Sequence, residues 1–228
     1  MDRDYAFLRA MATGKHYILD VGANLGLTAL VMANAMANDG QLVAFETAEV
    51  GCRTISDHIV LNDLEDRILV VNALIAERSG MIIDFYGGNA SGGSSIVPGY
   101  LGHVHSLRKA TLALDDFVAN SGCSPDFIKI DVEGAEARVL SGLKETLFKI
   151  RPLVFVELHS WQDNTVPDMA AQIMDQLNSV SYCMVYLKTK SVVEDPAALM
   201  GRGRCHVLLC PIESPILTQL ELLDTKGL

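Results

Sequence analysis

Short apolar runs of strand length alternate along this chain with longer segments of helical period. That alternation is the mark of repeated βαβ units, so a doubly wound, mostly parallel α/β sheet is expected. The periodicity predicts strands near 16–21, 41–46 and 68–75, with helices at about 25–37 and 48–61 between them. A further strand, Met81–Tyr86, follows Ser79-Gly80 and predicts a small inserted hairpin or edge addition. The glycine–serine tract that follows falls in a loop over 87–99, read either as a flexible surface loop or as a flap over a site. Thr111–Leu114 predicts a short strand, and Asp115 and Asp116 after it read as a helix N-cap pair. The second half predicts a buried strand over Phe127–Val132, a helix from about Ala135 to Lys149, a strand over Leu153–Leu158 and a helix near 167–178. Strands near 182–188 and 205–210 read as an antiparallel pair completing the sheet, and the tail from Pro211 to Leu228 as an edge helix or partner contact. No linker divides the chain. The expectation is one domain over 1–228, with a cofactor half at about 15–80 and an acceptor-side half at about 110–210.

The first crossover carries the strongest chemical signal. An apolar strand ends at Asp20-Val21-Gly22-Ala23-Asn24-Leu25-Gly26, and Leu27 opens a helix. A strand, a turn of small residues and a helix place backbone N–H groups above the sheet edge, where a nucleoside-containing ligand binds. Glu46 closes the next strand, at the distance expected for an acid that takes ribose hydroxyls. The turn lacks the spacing of the G-x-G-x-x-G dinucleotide fingerprint. Asp20 would repel a diphosphate and favours a ligand end with a positive ammonium, as in S-adenosylmethionine. The cofactor contacts expected are Asp20, Gly22, Ala23, Asn24, Gly26 and Glu46, with Asn72 and Ala73 beside the adenine and Asp131 near the sulfonium. A nicotinamide-dependent oxidoreductase and a non-catalytic nucleoside-cofactor-binding protein remain as alternatives.

Composition narrows the partners. A formal net charge of −10 over 228 residues argues against a phosphate-binding surface, so no nucleic-acid partner is expected. The longest apolar helix, Leu25 to Ala37, is too short to span a bilayer, and Met1-Asp2-Arg3-Asp4 lacks a secretory pattern. Five cysteines without zinc spacing fit a reduced, cytoplasmic chain. A small-molecule acceptor is expected, with no membrane partner; a homo-oligomer is left open.

The turn Asp20–Gly26, Ala44-Phe45-Glu46, Leu61-Asn62, Leu114-Asp115-Asp116-Phe117, Ile128-Lys129-Ile130-Asp131-Val132-Glu133-Gly134-Ala135-Glu136, Arg151-Pro152 and Val156-Glu157-Leu158-His159 together resemble the FkbM family of methyltransferases. The motifs run in family order from about residue 17 to 160. The resemblance implies a class I, seven-stranded, Rossmann-like methyltransferase fold and S-adenosylmethionine-dependent O-methylation of a small metabolite, sugar or polyketide-like acceptor. The chain departs from the family in having Thr47 where proline usually follows the glutamate, and in its short lead before the first strand.

Oxygen methylation is a displacement at a sulfonium methyl, and the acceptor hydroxyl must lose its proton. Two strand ends bring ionisable groups to the sheet's carboxyl edge: Asp131 and Glu133 after one, Glu157 and His159 after the other. His159 is the expected general base, with Glu157 and Glu133 orienting it, binding the acceptor or acting as bases themselves. The same groups also suit a divalent metal, to which no spacing commits. Glu136 reads as a helix-dipole acid and Lys129 as the buried partner of an acid. Ser94 and Ser95 reach the site if the glycine tract folds over it, and His103 and His105 read as exposed loop residues.

Overall fold

The computed structural model describes residues 3–87, 95–98, 106–161, 164–225 and 228. The expected alternation is present as β1 (Tyr17–Val21), α2 (Leu27–Ala33), β2 (Gln41–Glu46), α3 (Glu49–Leu61) and β3 (Ile68–Asn72). A helix the periodicity did not predict, α1 (Arg3–Ala12), precedes them. The insertion comprises β4 (Leu74–Ile75), β5 (Ile82–Tyr86) and β6 (Ser106–Leu112). The second half runs α4 (Leu114–Ser121), β7 (Phe127–Ile130), α5 (Glu136–Ser141), α6 (Lys144–Lys149), β8 (Leu153–His159), α7 (Val166–Asn178), β9 (Tyr182–Tyr186), β10 (Ser191–Val192) and β11 (Arg204–Pro211).

The main sheet has the order β10-β9-β11-β8-β7-β1-β2-β3. Strands β3, β2, β1, β7 and β8 are parallel, and β11 lies antiparallel between β8 and β9. Among the described residues the sheet therefore has eight strands rather than seven. The extra one, β10, is two exposed residues folded back on Val185 and Tyr186, too short to show a hydrophobic period. The strand expected over 68–75 breaks at Ala73, whose N–H goes to Glu46 O. From there β4 leaves for a separate small sheet, β4-β6-β5, so the expected hairpin is a three-stranded insertion.

Alternate strand residues face opposite sides, and both sides are buried. Ile18, Leu42, Phe127 and Phe155 pack with Phe7, Leu8 and Met11 of α1, Met32 of α2 and Ile55 of α3. Leu19, Val43, Ile128 and Val156 pack with Leu114 of α4, Leu140 of α5, Leu147 of α6 and Ile173 of α7. The single helix expected over 135–149 is two helices. Its ladder is interrupted where Asp115 N takes Gly142 O, while the Asp115 carboxylate accepts from the N–H groups of Glu145 and Thr146 and from Thr146 Oγ1. Asp115 thus caps α6 and not its own helix. Asp116 bonds Ser79 Oγ. The tail forms two short 3₁₀ turns, at Pro215–Thr218 and Leu220–Leu222, in place of an edge helix. Among the described residues no helix is long and apolar enough to cross a membrane.

Candidate active site

The carboxyl ends of β1, β2, β7 and β8 meet at one edge, and two cavities open there. The first, of about 650 Å³, is lined by Gly22, Asn24, Glu46, Ala73, Asp131 and Glu133, with Phe45, Leu74, Ile75, Phe85 and Ile96 as apolar walls. The second, of about 670 Å³, adjoins it across the β1 turn and is bounded by Tyr5 and Leu8 of α1, Thr28, Lys129, Phe155 and Glu157. Gly22, Asn24 and Asp131 border both.

The β1 turn is held in shape by its own hydrogen bonds. Gly22 N and Ala23 N both donate to Phe45 O, Gly26 N donates to Ala23 O, and Asn24 N donates to Glu46 Oε2 at 2.8 Å. These N–H groups are spent, so the turn offers shape and space where the sequence suggested donors. Gly22 has φ 78°, and a Cβ there would lie 1.8 Å from Asp131 O; only glycine lets the β1 and β7 loops touch. Asn24 is itself left-handed, at φ 52°. Helix α3 comes as near: a Cβ on Gly51 would stand 2.9 Å from Asn24 O and 2.7 Å from Glu46 Cγ.

Glu46 is buried, and its oxygens take Asn24 N and Ala48 N. Burial raises its pKa from the usual glutamate value, while the backbone donors pull the other way. Each carboxylate oxygen keeps acceptor capacity toward the cavity it lines. Ala73 lines the same cavity; Asn72 does not, because its amide donates to Glu46 O, Thr47 O and Cys52 Sγ. Its amide nitrogen braces the β2 end. Asp20 lines neither cavity. It is fully buried, with Lys129 Nζ 3.2 Å from one oxygen and Thr28 Oγ1 donating to the other. Among the described residues the cation it meets is Lys129. Lys129 also lies 3.4 Å from Asp131 and donates to Gly22 O. Burial opposes its charge, yet Asp20 and Asp131 outweigh that and raise its pKa.

At the other end of the first cavity four carboxylates surround one imidazole. His159 Nε2 stands 3.3 Å from Glu133, 3.4 Å from Glu157 and 4.0 Å from Asp131. Nδ1 is 3.1 Å from Glu136, which is fully buried and also accepts from Gly134 N. With Glu136 as acceptor, Nδ1 carries a proton. Burial disfavours the charged ring, but Glu136, Glu157 and Glu133 push its pKa up to about 11. Burial lifts Asp131 to about 6 against the pull of Lys129. Burial would raise Glu157 too, but its bonds to His159 and His206 bring it well below the usual range. Glu133 reaches the site from a left-handed residue, φ 56°. Ser95 is buried and donates to Glu133 O from the rim; Ser94, His103, His105 and most of 87–99 lie outside the described residues.

Several members of the site were not legible as such. Glu136 supports the imidazole rather than only a helix dipole. Arg204 and His206 of β11 reach Glu157 at 2.9 and 3.3 Å. The antiparallel register that sets Arg204 opposite His159 and His206 opposite Glu157 is the signal that would have found them.

The parallel sheet with an antiparallel strand inserted next to β8, and a cavity at the carboxyl ends of β1 and β2, define the class I methyltransferase fold. Solved structures agree. The O-methyltransferase from Bacillus cereus, in complex with S-adenosylhomocysteine, superposes with a TM-score of 0.54 at 14% identity, covering 90% of this chain and 79% of that one. The methyltransferase FkbM from Methylobacillus flagellatus gives a TM-score of 0.54 at 15% identity over 87% of this chain, which spans only 44% of that longer protein. In sequence, the methyltransferase sdnD of Sordaria araneosa is 24% identical over 203 residues, 76% of this chain and 77% of that protein. The methyltransferase FkbM domain model matches residues 20–183. The chain belongs to the FkbM methyltransferase family.

Proposed function

We propose that this protein transfers the methyl group of S-adenosylmethionine to a hydroxyl oxygen of a small metabolite, sugar or polyketide-like acceptor. The carrying observation is one cavity with the buried Glu46 at one end and the acidic Asp131–Glu133–His159 edge at the other. Glu46 takes the ribose hydroxyls, and Phe45, Leu74 and Ile75 give an apolar wall to the adenine. The amino-acid end of the cofactor passes Gly22 toward the second cavity, beside Tyr5 and Thr28. The sulfonium then lies near Asp131, where negative charge favours it.

The methyl carbon leaves sulfur, which keeps the bond's electron pair, and joins the acceptor oxygen, whose proton passes to a base. An imidazole that already holds both protons accepts no more. The proton therefore goes to a carboxylate, Asp131 or Glu133, with His159 fixing their placement. A nicotinamide cofactor gains no support, because the N–H groups its diphosphate would need are bonded to Phe45 O, Ala23 O and Glu46. The net charge of −10 favours a small, uncharged acceptor over nucleic acid.

The test is labelled methyl transfer from S-adenosylmethionine to a panel of hydroxylated acceptors, with amines for comparison. Labelled ether product supports the reading. Tight binding of S-adenosylhomocysteine with no product from any acceptor points instead to a non-catalytic binding protein.

A further inference from the structure

We propose that Asp131, Glu133 and His159 form a binding site for one hard divalent cation of the Mg²⁺ or Mn²⁺ class. The role given to the ion, holding the acceptor hydroxyl, rests on the methyl-transfer reading; the site itself does not.

One donor atom from each of the three side chains lies within 4.8 Å of the others. They come from two neighbouring strand ends: Asp131 and Glu133 follow β7, and His159 closes β8. Carboxylates converge on a single ring nitrogen, Nε2, while the opposite nitrogen is committed to Glu136. Glu136 accepts the hydrogen bond from Nδ1, the usual outer support of a metal-bound histidine, and an ion entering the site displaces the proton that Nε2 carries in its absence. Glu136 supplies a second observation. It is fully buried and its Oε2 has no hydrogen-bond partner among the described residues. Its other oxygen is shared by the imidazole and Gly134 N, so the charge that Glu136 directs at the site reaches it through the His159 ring.

Charge points the same way. Asp20, Asp131, Glu133, Glu136 and Glu157 surround the edge, and among the described residues Lys129 lies beside Asp20 and Asp131 and Arg204 beside Glu157. Glu157 is already held by Arg204 and His206, so it is left out of the ligand set. Two carboxylate oxygens and one imidazole suit an oxygen-preferring ion, and three protein ligands leave half of an octahedral shell open. Asp131 and Glu133 both line the 650 Å³ cavity, so the open positions face the end of it that the methyl-transfer reading gives to the sulfonium. An acceptor hydroxyl bound there would lose its proton more readily, and its oxygen would be set in line with the methyl group.

The experiment titrates Mn²⁺ into the purified, chelator-treated chain, with and without S-adenosylhomocysteine, read by calorimetry and by the electron paramagnetic resonance of the ion. One Mn²⁺ per chain is expected, lost in His159→Ala and Asp131→Asn. Glu136→Gln, which touches no ion, is expected to weaken binding about 10- to 100-fold. Thermal melting of each variant separates loss of the site from loss of fold. The proposal is overturned if chelator-treated protein takes up no Mn²⁺ at concentrations on the order of millimolar, the weak end of functional divalent-cation sites, or if folded variants bind it as wild type does. Failure of S-adenosylhomocysteine to bind, with Mn²⁺ still bound stoichiometrically, sinks the methyl-transfer reading and leaves the ion site standing.

Discussion

Gly22→Ala tests the contact on which the cofactor cradle depends. The added Cβ would meet Asp131 O at 1.8 Å and Asp131 C at 2.9 Å. That is roughly 1.5 Å inside an ordinary close C···O approach of about 3.3 Å. The obstacle is backbone, so a rotamer change gives no relief and the β1 and β7 loops must separate. Two costs add: about 1–2 kcal/mol for a left-handed alanine and about 1–3 kcal/mol for the overpacking. Gly80→Ala is the matched control. Gly80 has φ 79°, nearly that of Gly22, but nothing lies within 4 Å of its added Cβ. Both variants bear the conformational cost, and only Gly22→Ala bears the clash. For a domain of this size the difference corresponds to a further fall in Tm of roughly 2–12 °C. Calorimetry with S-adenosylhomocysteine should show about tenfold or greater loss for Gly22→Ala, equivalent to the lower part of that clash cost, and none for Gly80→Ala. Equal melting and equal affinity in the two variants would refute the packed β1–β7 contact.

Three further outcomes are expected. Glu46→Gln turns one carboxylate oxygen into an NH₂ facing Asn24 N or Ala48 N; S-adenosylhomocysteine affinity should fall by about 1–3 kcal/mol, roughly 5- to 150-fold, and unchanged affinity would remove Glu46 from the site. Gly51→Ala places a methyl against Glu46 Cγ and Asn24 O, and should lower cofactor affinity and cost about 1–3 kcal/mol of stability; wild-type values in chemical denaturation and calorimetry would count against that close approach. Asp115→Ala removes three hydrogen bonds at the start of α6 and should cost about 1–2 kcal/mol with cofactor affinity intact; an unchanged denaturation midpoint would rule out the cap.

What was legible in the sequence follows from range. The β1 turn, Glu46 and the β7 and β8 ends were readable because local pattern places them: a parallel strand ending in acid puts that acid at the carboxyl edge whatever surrounds it. Asp20 and Asn72 have tertiary partners that their local pattern does not announce, Lys129 in one case and the β2–α3 loop in the other. Those partners lie far along the chain or are backbone, and spacing carries no trace of them. Helix α1 was missed because its buried face, Phe7, Leu8, Met11 and Ala12, is short and set among polar residues. Asp115 read as a local cap, yet it serves a helix thirty residues on. The ring of groups on His159 is the strongest such case: Glu136 is 23 positions away and Arg204 comes from an antiparallel strand.

The most direct measurement is a calorimetric titration of S-adenosylhomocysteine into the wild-type chain, followed by the same titration into Glu46→Ala. The account predicts one site per chain in the first and a marked loss of affinity in the second. No detectable binding to folded wild-type protein would contradict it.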